Sequence, residues 1–403
     1  MQQIYTVGIY FFSFLVKVYS FLNQKGKKLV DGHVSTWKIL ENIERESFVW
    51  FHLASLGEFE QGRPLIESLK AKYPNQKVLI TFFSPSGYEI KKDYEYADLV
   101  IYLPFDTTKN ARRFLSKITI KVAIFIKYEF WFNYLNELQN KAIPTIYVSS
   151  LFRRGQFYFK NNWMLGLFKN VNHFFVQNEE SKLILSSHGI YNVSVTGDTR
   201  IDSVLLTAKE QWFDKKIEKV LDGRPVVVFG STWKGDHNLI VSFINKHSSK
   251  YQYIIAPHSI NNREISELKN SIQANVSFYT TSEEFTDVII IDSIGVLKYL
   301  YRYADVAYIG GGFNNGIHNT LEPMSYGIPV LFGPKNYLKF TEAKKIVKLH
   351  LGAVVDTAIF HKKLELYLNS EEIRNNIKQN VKNYLKNNKG ATSKVLDMLR
   401  SIL

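Results

Sequence analysis

"FVWFHLASLGEFEQG", residues 48–62, decides the fold. An apolar run reaches His52, a polar turn passes through Ser55 and Gly57, and Glu58 opens an amphipathic stretch that continues to residue 74. A strand apolar on both faces that hands over directly to a helix is the repeating unit of a parallel α/β sheet. Further apolar runs follow at 77–83, 97–103, 121–126, 144–150, 173–177 and 193–197, with helical stretches such as 107–118 and 179–189 between them. A charged segment, 202–224, reads as helix plus linker. The alternation restarts at 225–231, 251–258, 276–281, 287–292, 305–311, 329–333 and 352–356, and helical sequence closes the chain from residue 370. The expected fold class is α/β, with two doubly wound Rossmann-like domains. A length of 403 residues suits two domains of that kind. The expected boundaries are a hydrophobic segment 1–28, a first domain 29–205, a linker 206–223, a second domain 224–385 and a C-terminal helix 386–403. Ligands are expected in a cleft faced by the carboxyl ends of both sheets.

The chain has no cysteine, which excludes disulfides, zinc fingers and Fe–S clusters and fits a reducing compartment. Its net charge of +14 calls for acidic partners. The basic residues are dispersed and no nucleic-acid motif accompanies them, so phosphate or anionic lipid is expected and nucleic acid is not. Residues 4–22 are nearly all apolar, interrupted by Lys17 and followed by Lys25, Lys27 and Lys28. Neither a basic start nor a small-residue cleavage site marks a signal peptide. A helix lying on the membrane is expected, with a full span and a core helix as alternatives. The lysines favour the cytoplasmic face.

Candidate chemistry falls at strand ends. Glu58 is either a helix-dipole carboxylate or a base that removes a proton from a sugar hydroxyl. His52 suits a strand-end structural role as well as a site role, and Ser55 a helix cap. Ser84, Ser86 and Gly87 form a second polar loop, which caps a helix or touches substrate. Lys127, Glu129 and Trp131 follow the fourth strand and supply a second acidic candidate. In the second half, Gly230, Ser231 and Thr232 precede a helix in a way that suits a phosphate, without the spacing of a Walker loop. His258 and Arg263 follow the next strand, Arg263 being either an anion ligand or a surface residue. The densest stretch is "YIGGGFNNGIHNTLEP", 308–323. There Gly310, Gly311, Gly312 and Gly316 permit close approach of a ligand, and His318, Asn319, Thr320 and Glu322 supply polar groups, Glu322 being suited to a ribose diol. No cluster has metal-ligand spacing.

Together these residues resemble the 3-deoxy-D-manno-octulosonic acid (Kdo) transferases, glycosyltransferases of the GT-B fold, over nearly the whole chain. The family's H-x-x-S-x-G-E is matched by His52, Ser55, Gly57 and Glu58. Its T-x-T-x-x-G-like loop is matched by Thr81, Ser84, Ser86 and Gly87, and its GGxxxxxGGHNxxEP by Gly311, Gly312, Gly316, His318, Asn319, Glu322 and Pro323. Lys127 reverses a charge in the family's acidic E-x-E-x-W stretch. Pro257-His258 lacks an Arg of P-R-H, Ile317 replaces a Gly, and Gly197, Asp198, Arg200 and Asp202 stand for G-N-x-K-x-D. The resemblance implies transfer of Kdo from CMP-Kdo to a phosphorylated lipid A precursor, with inversion and with Glu58 as general base. It implies His52, Ser55, Gly57, Ser84, Ser86 and Glu129 on the acceptor side. The donor would meet Ser231, Thr232, His258, Arg263, Gly311, Gly312, His318, Asn319 and Glu322. No metal or other cofactor is implied, and membrane lipids at the cytoplasmic face of the inner membrane are the expected surroundings, within lipopolysaccharide biosynthesis. The rivals are a UDP-sugar transferase or epimerase of the same fold and a non-catalytic lipid-binding scaffold.

Overall fold

The structure is a computed structural model that describes residues 2–43, 46–314 and 316–403. The chain divides into two compact units, residues 1–203 with 388–403, and residues 204–387.

Among the described residues, the first unit holds a seven-stranded sheet: β1 (Ser47–His52), β2 (Lys77–Phe82), β3 (Leu99–Tyr102), β4 (Thr119–Ile126), β5 (Thr145–Ser150), β6 (His173–Val176) and β7 (Val193–Val195). The order is β3-β2-β1-β4-β5-β6-β7 and every pairing is parallel. The strands are short continuous apolar runs because helices cover both faces. Trp50, Ala123, Phe125 and Tyr147 face one buried layer, and Val49, Phe51, Val122 and Ile124 face the other. Strand order reverses between β1 and β4. Connections leave that point in opposite directions, so a crevice opens at the strand ends.

The second unit repeats the plan with β8 (Val226–Thr232), β9 (Gln252–Pro257), β10 (Val276–Phe278), β11 (Val288–Ile290), β12 (Val306–Ile309), β13 (Val330–Phe332) and β14 (Gly352–Val354). Its order is β10-β11-β9-β8-β12-β13-β14, again parallel, with the reversal between β8 and β12.

The expected boundaries change at two places. The segment read as a linker is largely helical and packs on the second unit: the Tyr303 hydroxyl contacts Asp214 N–H, and the Tyr279 hydroxyl donates to Asp214 at 2.8 Å. The C-terminal helix Ala391–Leu399 belongs to the first unit. Asp202 anchors it, accepting from Gly390 N–H (2.7 Å), Thr392 N–H (2.8 Å) and the Thr392 hydroxyl (2.8 Å), and Val395, Leu396 and Leu399 enter the core.

The apolar N-terminus forms the helix Gln2–Ser20, followed by the helix Gln24–Glu41, whose start Asn23 caps. One face of the first helix is docked. The Tyr5 hydroxyl donates to Asp106 at 2.7 Å, Thr6 donates to Asn133 at 3.2 Å, and Phe12 packs on Phe83 and Phe105. The other face exposes Ile4, Val7, Phe11, Phe14, Leu15 and Val18, and Phe21 and Leu22 continue the apolar surface just beyond the helix. Spacings of three and four residues put the helical members on one stripe. No helix among the described residues is long and apolar enough to cross a membrane.

Candidate active site

The first cluster lies at the β1/β4 reversal. β1 ends at His52 and the helix Leu56–Lys72 starts four residues later, which makes Glu58 its third residue. The Glu58 carboxylate accepts from Ser55 N–H at 3.1 Å, so the bland helix-start role is present. It does not exhaust the residue. Glu58 is only 9% exposed, and burial pushes its carboxyl up to about 7. The Glu129 charge adds to the rise, and Lys127 and the backbone N–H groups of Ala54 and Ser55 oppose it. A carboxyl poised there is suited to exchange protons near neutral pH.

Glu129 follows β4 through a turn in which Lys127 adopts φ +70°. Trp131 holds it: the indole N–H lies 2.9 Å from Glu129 Oε2 and 2.8 Å from His52 Nε2. With that donor on Nε2, the His52 ring proton sits on Nδ1 and is donated to Thr81 Oγ1 at 2.8 Å. Thr81 also accepts from the Trp50 indole at 2.8 Å. His52 is fully buried and is therefore a positioning residue for the acidic turn. Ser84 N–H donates to Ala54 O at 2.7 Å, which brings the second polar loop beside the first. Ser84 caps the helix Pro85–Lys91 and pairs with the exposed Ser86 at 2.9 Å. Gly57 is exposed on open space, its nearest neighbour being the Ser55 hydroxyl.

The second cluster lies at the β8/β12 reversal. The β8–β9 pairing slips between Gly230 and Thr232, and Ser231, at φ +53°, is the bulged residue. Bulges of this kind re-aim backbone groups beside sites. Gly310 must be glycine, because a Cβ there would lie 2.4 Å from Ser231 O; Gly311, at φ +88°, would meet Gly316 O at 2.4 Å. The two turns are therefore packed backbone against backbone.

Asp236, passed over by the sequence reading, joins them. Buried, it accepts from Trp233 N–H (2.8 Å), Gly311 N–H (3.0 Å) and the Tyr308 hydroxyl (2.7 Å). The signal was available: an acid three residues after a helix N-cap is the spacing of a capping box. Trp233, His258 and His318 form a ring cluster, with His258 4.4 Å from Trp233 and 4.2 Å from His318. Trp233 Nε1–H donates to His318 Nε2 at 2.7 Å, leaving that ring's proton on Nδ1. Burial, with His258 alongside, pushes His318 down to about 4, so the ring is neutral at pH 7. Asn319 donates to Glu322 at 3.0 Å and accepts from Leu321 N–H at 3.0 Å. Arg263 does not join this group: its side chain is exposed and its Nε pairs with Glu267 at 3.0 Å. No group of three or more His, Asp or Glu among the described residues is arranged to hold a metal ion.

Two parallel-sheet Rossmann-like units are the architecture of GT-B glycosyltransferases and of related nucleotide-sugar enzymes. The chain shares this fold with the UDP-GlcNAc 2-epimerase of Neisseria meningitidis, at a TM-score of 0.63, 17% identity, and coverage of 88% of this chain and all of that one. Residues 28–203 match the family described as 3-deoxy-D-manno-octulosonic-acid transferase (kdotransferase). The 3-deoxy-D-manno-octulosonic acid transferase of Haemophilus influenzae is 25% identical over 88% of this chain and 87% of its own length. The bifunctional glycosyltransferase/methyltransferase of Fusobacterium nucleatum is 28% identical over 83% of this chain, which spans only 54% of that relative. The chain is thus similar to the Kdo transferase family, through residues 28–203 and through curated relatives 23–29% identical over most of its length.

The raised Glu58 carboxyl has a consequence for stability. Between an ordinary value of 4.5 and about 7 the folded chain keeps this proton and the unfolded chain does not. The stabilisation is therefore complete below pH 4.5 and is lost as pH rises through 7, on the order of 3 kcal/mol. Glu58→Gln removes that loss, so its urea midpoint relative to wild type should climb between pH 5 and pH 8. An equal gap at both pH values would contradict the buried-acid reading.

Proposed function

We propose that the protein is a glycosyltransferase that moves Kdo from CMP-Kdo to a hydroxyl of a phosphorylated lipid A precursor, with inversion. The observation that carries this is the buried Glu58, raised to about 7 at the β1/β4 reversal of a chain similar to the Kdo transferase family. Glu58 takes the proton of the acceptor hydroxyl as that oxygen bonds to the anomeric carbon of Kdo. The bond from that carbon to the CMP phosphate oxygen breaks on the opposite side, which inverts the centre, and CMP leaves as an anion. Burial and the charge of Glu129, which Trp131 holds, keep Glu58 basic enough to accept the proton.

On the donor side, the bulged Ser231 and Thr232 offer hydroxyl donors to the phosphate, beside a glycine turn whose Gly310 and Gly311 N–H groups are already given to Gly230 O and Asp236. His318 contributes as a neutral Nδ1–H donor, and His258 and Trp233 provide a ring wall. Glu322, oriented by Asn319, takes the ribose diol. Arg263 approaches a donor anion only by leaving Glu267.

The exposed stripe of the helix Gln2–Ser20 supports attachment to a membrane surface, and the positive net charge supports an anionic one, the cytoplasmic face of the inner membrane.

Two outcomes test this reading. With CMP-Kdo generated in situ and a lipid A precursor in detergent, wild type forms product, and Glu58→Gln loses roughly 10²–10⁴ in rate while still binding CMP. Equal rates would remove Glu58 from the chemistry; no product with CMP-Kdo, but product or epimerisation with a UDP-sugar, would replace the donor. In flotation with anionic phospholipid vesicles, Phe11→Ser with Phe14→Ser should release the protein, and unchanged flotation would reject the stripe as the attachment face.

A further inference from the structure

The turn that carries Glu129 has a second side. Tyr128 and Phe130, its flanking residues, line a cavity of 430 Å³ together with Tyr5, Phe132, Phe157 and Tyr158. This volume falls within the roughly 300–1,000 Å³ typical of small-molecule sites. Its lining distinguishes it from a packing gap. Tyr158 is buried with Gln156 beside its hydroxyl, and the Gln156 Oε1 accepts from Arg153 N–H at 2.8 Å. Arg153 lines the cavity, is exposed, and no ion pair among the described residues engages it. Phe157 is 64% exposed and adds apolar ring surface to the mouth of the cavity.

The position of the cavity narrows the occupant. Tyr5 belongs to the helix Gln2–Ser20, and its sequence neighbour Ile4 opens the exposed apolar stripe. Tyr128 and Phe130 bracket Glu129, the residue whose charge raises Glu58. A ligand seated here thus has apolar surface shared with the N-terminal helix at one wall and the acidic turn at another. An aromatic-walled cavity with a guanidinium that no ion pair among the described residues engages suits an apolar chain attached to an anionic head. We propose that it takes an acyl chain of the phosphorylated glycolipid acceptor, with Arg153 meeting an anionic group of its head. The choice of the acceptor over a bulk membrane lipid rests on the transfer reaction proposed above and on the Glu129 turn forming the wall.

The test uses the full chain in detergent and a bis-phosphorylated glucosamine disaccharide lipid with a diazirine in one acyl chain. After irradiation, adducts are mapped by mass spectrometry, and Kdo transfer is read in parallel. The expected adducts fall in 128–132 and 153–158. Phe157→Ser, a change at an exposed position, should cut them and raise KM for the acylated acceptor about tenfold, as loss of apolar contact would. KM for the fully deacylated acceptor should not move. Adducts confined to residues 4–22, equal labelling by a diazirine phospholipid, or equal KM changes for both acceptors would overturn the proposal. Transfer with labelling elsewhere removes the cavity and leaves the transferase reading; labelling in the cavity without transfer does the reverse.

Discussion

Burial of one carboxylate beside another sets the chemistry at the first unit's strand-order reversal. Glu58 and Glu129 leave the carboxyl ends of adjacent strands, β1 and β4, where the strand order reverses and the connections part. Burial alone disfavours an ionised Glu58, and the Glu129 charge disfavours it further. The surrounding structure answers this cost: Trp131, itself positioned by His52, fixes Glu129, Thr81 fixes His52 and Trp50, and Ser55 N–H with Lys127 restrains the rise. Lys127 breaks the family's acidic pattern in sequence, and in the structure it is the cation that tempers the pair.

The second unit uses the same geometric device with different chemistry. A bulge at Ser231 and a glycine turn at Gly310–Gly312 meet so closely that a single Cβ would separate them. Asp236 locks both turns by accepting from Trp233, Gly311 and Tyr308. The groups there are neutral: with His318 down at about 4 and Arg263 turned to Glu267, the proposed anion would meet hydroxyls and an uncharged imidazole. A fixed neutral cradle suits a leaving phosphate whose charge changes during reaction.

Strands were legible because buried parallel strands are short apolar runs; the run at 121–126 lies inside β4 and the run at 77–83 exceeds β2 by one residue. The site residues at strand ends were legible for the same reason, since each follows such a run. What escaped the sequence depends on contacts between distant segments. Nothing in "ATSKVLDML" says that Asp202 will hold it against the first sheet. The Glu58 shift needs burial and a second acid from another strand, and the cavity at Phe157 needs three separate segments. Arg263 was read as either a ligand or a surface residue, and the second is what an i,i+4 pair with Glu267 on an exposed helix face produces.

Burial first, and the Glu129 charge after it, set the working range of Glu58. The most direct measurement is the pH dependence of single-turnover Kdo transfer in wild type and in Glu129→Gln, the conservative change that removes charge and retains shape. The acid limb in wild type should have its midpoint at about 7, where Glu58 releases its proton. In the variant that limb should move to lower pH, because burial remains and the neighbouring charge is gone. A limb that stays in place, or one that is absent in wild type, would contradict the account.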